Sequence, residues 1–220
     1  MRTLITLSLI VLTTTSSWAQ DGRWQLGVQA GPGLSWLRGN RLINRSDALF
    51  GPAAGLTVQV DLSKRFGVRL GAGYQRKGMR EEVTLTDVNG TPVRVVSSRN
   101  AMDHLVVPVM AQVSFGDRAR LVIAAGPYAG LLMRSRRSFG DERDYPTVDN
   151  TNELEPWDLG VSASVGGAFD VSGHIVLRTE VRYDKGLTNI SALPVVDDGS
   201  IRTHAVSLLV GCSYRFGKAL

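Results

Sequence analysis

Hydrophobic and polar residues alternate with a period of two through most of the chain, most plainly over residues 175–184. Successive side chains of a strand point to opposite faces. One face there carries Ile175, Leu177, Thr179, Val181 and Tyr183; the other carries Val176, Arg178, Glu180, Arg182 and Asp184. A helix would scatter these residues around its circumference. A strand buried on both sides could not hold four charges of alternating sign. The strand therefore has one apolar side and one side that is wet or lined with ion partners. A half-solvated strand of a soluble sandwich satisfies this, with its apolar side inward. So does a strand of a transmembrane barrel, with its apolar side to lipid and its charges in the lumen.

Seven further segments alternate in the same way: residues 24–36, 52–62, 66–74, 105–115, 121–133, 157–169 and 204–216. In the first, Trp24, Leu26, Val28, Ala30, Pro32, Leu34 and Trp36 oppose a face of small and polar residues from Gln25 to Ser35. The segment at 121–133 alternates least, and Pro108 removes a ladder donor from its own segment, so a bulge or local distortion is expected there. Most segments reach the length of about 9–11 residues with which a tilted strand crosses a bilayer. Strands of soluble proteins commonly run about 5–6 residues. The connections alternate as well. Residues 63–65, 116–120 and 170–174 are short, whereas 37–51, 75–104, 134–156 and 184–203 are long. Tight turns on one side and long loops on the other are the pattern of an outer-membrane barrel. The expected fold is all-β, an eight-stranded antiparallel transmembrane up-and-down β-barrel. Trp24, Phe66, Phe115, Phe169, Tyr214 and Phe216 fall at the turn-side ends, and Trp36, Tyr74, Trp157 and Tyr183 at the loop-side ends. Two aromatic girdles would lie there.

The first residues change the compartment. Arg2, the short apolar run from Leu4 to Leu12 and the small-x-small triplet Ser17-Trp18-Ala19 make residues 1–19 a secretory signal peptide. Cleavage would leave residues 20–220 as the barrel domain, beginning at Gln20. No later stretch approaches the roughly 20 apolar residues of a membrane helix. Cys212 is the one cysteine, which excludes a disulfide framework and a CxxC metal site. The formal charge of +5 is spread along the chain, and nucleic acid is excluded as a partner. The 24 glycines suit tight turns and crowded interiors.

Eight strands enclose a lumen only wide enough for side chains. By register, Asp61, Arg69, Asp158, Arg178, Glu180, Arg182 and Asp184 project into it, and buried charges need partners. An interior ion network that plugs the barrel is expected. Asn89-Gly90 between β-favouring runs signals a hairpin that extends the wall beyond the membrane. The mixed charges of the third long loop, Arg134 to Glu155, suit a cation or a charged headgroup, but are read first as a solvated loop, since no calcium-loop spacing is present.

Several motifs resemble a known family. Glu180-Val181-Arg182-Tyr183 with Gly186-Leu187-Thr188-Asn189-Ile190 is similar to the penultimate-strand signature of PorT-like outer membrane β-barrel proteins of the Bacteroidetes type. Gly126-Pro127-Tyr128-Ala129-Gly130, the stretch Leu105 to Pro108 and the closing Tyr214-Arg215-Phe216-Gly217 resemble further elements of that pattern. The resemblance implies the barrel and a Gram-negative outer membrane, but no activity.

The function expected is a non-enzymatic outer-membrane scaffold that binds through its long outer loops. A small channel or secretion-assembly component is the alternative, and a lipid-modifying enzyme a weaker one. An enzyme would need a serine, histidine and acid gathered at the outer rim. His174 falls in a turn, and His104 and His204 lie near the outer ends, where His104 with a loop carboxylate such as Asp103 offers itself. No cofactor or metal is expected. The partners expected are outer-membrane lipid, periplasmic chaperones and barrel-insertion machinery during assembly, and an extracellular or envelope protein.

Overall fold

A computed structural model describes residues 24–39, 43–87, 89, 91–140, 147–195 and 199–216. The expected signal peptide and Gln20 lie outside the described residues. Among the described residues nine strands form one sheet: β1 (Trp24–Arg38), β2 (Asp47–Asp61), β3 (Phe66–Thr86), β4 (Pro92–Phe115), β5 (Ala119–Phe139), β6 (Val148–Asp149), β7 (Trp157–Asp170), β8 (Ile175–Gly186) and β9 (Arg202–Phe216). All but the two-residue β6 form the wall. Neighbours in sequence pair antiparallel, and β1 closes the ring on β9, from Trp24 opposite Phe216 to Arg38 opposite Arg202. The closed ladder leaves no strand edge in the wall. No helix among the described residues is long and apolar enough to cross a membrane.

The polarity is inverted relative to a soluble sandwich. Leu26, Val28, Leu56, Leu70, Val109, Ile123, Val161, Val165, Val181, Leu208 and Val210 are exposed on the outer surface. Gln25, Gln59, Arg69, Gln112, Ser162, Arg178, Glu180 and Arg182 are buried inside. The aromatics of both expected girdles share the outer face. At the turn end, Tyr214 stacks on His174 with centroids 5.5 Å apart and meets Phe216 edge-on.

Small residues permit the close approach of strands. A Cβ on Gly31 would sit 1.8 Å from the Leu208 carbonyl oxygen, and one on Gly126 would sit 1.9 Å from that of Val109. Such contacts require glycine.

Of the bulge or local distortion expected at Pro108, the structure shows the milder, a gap in the ladder. The β3–β4 register is the same on either side of it, and the ladder only skips Gly71 and Ala72. The proline ring lies over Gly71, where an added Cβ would meet its Cγ at 3.0 Å. A small opposite residue thus absorbs the proline without an extra residue. The register shifts fall elsewhere, between Ala48 and Ala53, Leu85 and Thr86, and Asp103 and His104.

The long connection 75–104 holds the expected hairpin around Asn89. It is almost entirely strand, because β3 and β4 run on to 21 and 24 residues and pair as far as Thr86 opposite Pro92. The Asp87 carboxylate accepts the backbone N–H groups of Asn89 and Thr91, each at 2.9 Å, which turns the chain. Gly90 itself lies outside the described residues.

The outer face fixes the first test. Ala163 lies midway along β7 and points outward, opposite Ala125 of β5. Ala163→Arg is expected to destabilise the folded barrel in liposomes by about 2–4 kcal/mol, the cost of arginine at the bilayer midplane. Urea titration followed by tryptophan fluorescence measures it. An unchanged midpoint would mean that lipid does not cover this face.

Candidate functional site

The inward face of the strands stacks polar side chains in layers from the turn end to the mouth. At the turn end, Asp170 accepts from Arg120 at 2.7 Å and from Arg215 at 3.0 Å. Just inside, Asp61 accepts from the amides of Gln25 and Gln59. Arg178 donates to the Gln59 oxygen at 2.6 Å. The next layer is Arg69 with Glu180, 2.6 Å apart, and Ser164 also accepts from Arg69. Above it Arg182 contacts Asp184 at 3.3 Å, while Asp184 also accepts from Gln75 and Ser162.

The outermost charged layer centres on Lys77, which is fully buried and lies 2.8 Å from the Asp158 carboxylate. Thr203 donates to the same carboxylate at 2.7 Å. The Tyr128 hydroxyl lies 3.2 Å from Lys77 Nζ, which also sits 4.5 Å from the centre of that ring. His104 is buried in the same region. A buried ammonium is tolerated only with such a set of acceptors.

The seven charges expected in the lumen are all there, except that Asp61 is half-buried near the turn end. They are not one continuous set of ion pairs. Arg69 meets Glu180 and Arg182 meets Asp184, whereas Asp158 pairs with Lys77, which is not among the seven. Asp61 and Arg178 are held by glutamine amides, with no opposite charge at ion-pair distance among the described residues. Arg69 Nη1 and Glu180 Oε1 have no hydrogen-bond partner among the described residues. Both residues border a cavity of about 10 Å³, the scale of one water molecule.

Lys77, Gln75, Tyr128 and Thr203 escape sequence reasoning. Lys77 and Gln75 fall in a stretch that reads as a loop. Tyr128 sits in a segment too rich in alanine and glycine for its alternation to stand out. Continuing the period of two past Tyr74 would have placed Gln75, Lys77 and Met79 on the inward face.

Above Lys77 the mouth is closed by apolar side chains. Leu37, Met79, Met102 and Ile190 form a buried cluster, with Ile43, Leu132, Leu154 and Ile201 packed against it. The loops are tied across the mouth by backbone bonds, Glu155 N–H to Ile190 O at 2.9 Å and Ala192 N–H to Glu153 O at 3.0 Å. A cleft of about 340 Å³ lies over this cap, bordered by Glu81, Arg137 and Glu153. At the outer end of β5, Arg134 lies 3.2 Å from Asp149 of β6. Hydrogen bonds from Thr151, then Arg134, hold the Asp149 carboxyl below its ordinary range. Glu142 and its charged neighbours from Asp141 to Asp144 lie outside the described residues.

The histidines do not assemble a catalytic group. His104 faces the lumen, while Asp103 points outward to Arg76 at 2.8 Å and to the Tyr74 hydroxyl. Adjacent strand residues face opposite ways, so the two cannot pair. His204 Nδ1 is 2.7 Å from the Tyr183 hydroxyl, on the outer surface. The His174 ring lies 3.1 Å from the Arg215 carbonyl oxygen at the turn end.

Solved barrels resemble this chain at low identity. A major outer membrane protein from Thermus thermophilus is 14% identical over 88% of this chain and 99% of its own, with a TM-score of 0.49. Neisserial surface protein A is 12% identical over 87% and 97%, with a TM-score of 0.48. Outer Membrane Protein W of E. coli is 18% identical over 90% and 99%, with a TM-score of 0.47. No curated protein matches the chain. The model of the outer membrane protein beta-barrel domain matches residues 18–192, most of the chain, and the chain belongs to that family of outer-membrane barrels.

Proposed function

We propose that this protein is a closed, non-enzymatic barrel that serves the outer membrane as a scaffold, binding through the surface above its mouth. One observation carries the reading: the lumen is filled by bonded polar side chains from Asp170 to Lys77 and then sealed by the Met79, Met102 and Ile190 cap. Solute has no wide path through such an interior. The β3–β4 hairpin supports the binding role, because it stands above the rim with Val93 and Val95 exposed at 68% and 58%. A protein of the envelope or the cell exterior is the partner such a surface suits.

The reading assigns no catalytic centre, in keeping with the separate surroundings of the three histidines. The motifs around Glu180 and Gly126 support a place in the PorT-like branch. The leader features of residues 1–19 support cleavage after Ala19, with delivery by periplasmic chaperones and the barrel-insertion machinery.

Conductance tests the closed lumen. Purified barrel in planar bilayers is expected to show no stable ohmic steps, and reproducible open-channel current would overturn the reading. Stability tests the plug. Glu180→Ala leaves the buried Arg69 without its counter-charge and is expected to cost about 3–5 kcal/mol in urea titration. The double replacement Arg69→Met with Glu180→Leu is expected to recover most of that loss, since a well-packed apolar pair is often as stable as an ion pair. Equal losses in both variants would place the cost in packing and not in the unpaired charge.

A further inference from the structure

We propose that the outer rim of β8, β9 and β1 is a docking site for the phosphate groups of an outer-leaflet glycolipid of the lipid A type. The site faces lipid. Trp36, His204 and Lys185 stand in register on three adjacent strands, and Arg38 lies opposite Arg202 one outward position higher. All five point away from the lumen. Below them the outward face of these strands carries no charge down to Trp24, Phe216 and Ile175. Moving outward along the wall, Lys185, Arg38 and Arg202 are therefore the first charges a lipid meets.

The cations stand on a built platform. Trp36 stacks on His204 with ring centroids 5.8 Å apart, and Tyr183 lies 6.5 Å from Trp36. The Tyr183 hydroxyl lies 2.7 Å from His204 Nδ1, which holds the ring in place beside Trp36. Arg38 donates to the Asn44 carbonyl at 2.8 Å through one nitrogen, which leaves its other N–H groups for a ligand. Neither Arg202 nor Lys185 has a carboxylate at ion-pair distance among the described residues. A second rim cation shows the contrast: Arg76 on β3 is neutralised by Asp103 on the same outward face.

Chemistry selects the occupant. Guanidinium groups bind phosphate oxygens in pairs, and a lysine at the interface extends its ammonium to the headgroup level. Neighbouring strands are about 4.8 Å apart, so three cations on three strands span more than one phosphate. The site lies at the loop-side end of the wall, hence in the outer leaflet. A glycolipid with two phosphate esters fits this density better than a zwitterionic phospholipid, which carries no net charge.

The full barrel, folded in neutral detergent, is titrated with lipid A and with its enzymatically dephosphorylated form, and Trp36 reports binding by fluorescence. Lipid A is expected to bind at least about tenfold more tightly than the dephosphorylated lipid, since each cation near an anionic headgroup contributes roughly fivefold. Binding should weaken as salt rises. The variant Arg38→Gln/Lys185→Gln/Arg202→Gln should lose the preference, while Arg134→Gln, at the outer end of β5 and paired with Asp149, should keep it. Migration of unheated samples on gels shows that each variant is folded. Should the triple variant not fold, the comparison of the two lipids and the salt series on the unaltered protein still decide. Equal affinity for both lipids, or a preference indifferent to salt, would overturn the proposal. So would a folded triple variant that retains the preference.

Discussion

A bilayer core offers no hydrogen-bond partner to a peptide group, so every backbone N–H and C=O at that depth must be satisfied within the chain. In this protein the ladder from Trp24–Phe216 to Arg38–Arg202 meets that constraint by joining the first strand to the last. The other features follow from closure. Once no edge remains, the outer surface can be uniformly apolar and the alternation along each strand sends everything else inward. That is why Arg178, Glu180, Arg182 and Asp184 occupy consecutive inward positions of β8.

The interior charges matter more for specificity than for net stability. Buried ion pairs often contribute little beyond what a well-packed apolar set would contribute. An apolar interior inside an apolar exterior, however, would leave each strand free to face either way. A slip of one residue exchanges the two faces. For β8 such a slip would put Arg178 and Arg182 into lipid, each at roughly 2–4 kcal/mol near the midplane. The Arg69–Glu180 and Arg182–Asp184 pairs, with the amides of Gln59 and Gln75, thus define which face is inside.

The wall was legible in the sequence wherever lipid enforces the alternation, and illegible where it stops. Residues 157–169 and 175–184 lie almost wholly between the girdles, and their ends agree closely with β7 and β8. Beyond Tyr74 and Leu105 both faces of the hairpin carry polar residues, such as Arg80, which donates to Ser97 at 2.8 Å. The contrast that marks a strand in lipid vanishes there, although the backbone pairing continues to Thr86. Lys77 falls just past that boundary, so the buried partner of Asp158 was hidden while Asp158 itself was visible. At Pro108 the sequence left a bulge and a milder distortion both open, for a different reason. Whether a missing donor bends a strand depends on what stands opposite, and the glycine that accommodates the ring lies far away in sequence.

The closure of the mouth follows from the same inversion. The upper lumen lies beyond the layers of paired charges, yet Leu37, Met79 and Met102 point into it from β1, β3 and β4. Without a cover these side chains would meet water. The loop after β8 supplies one by inserting Ile190, and its backbone is fixed by bonds to Glu155 and Ile201. Apolar residues at the inward ends of the wall strands thus recruit the loops, and the loops gain order that their own composition does not provide. A molecule approaching from outside meets those ordered loops and the hairpin, while the charges below stay sealed from it. Specificity in such a barrel can vary with the loops and the rim without disturbing the pairs that hold the register of the wall.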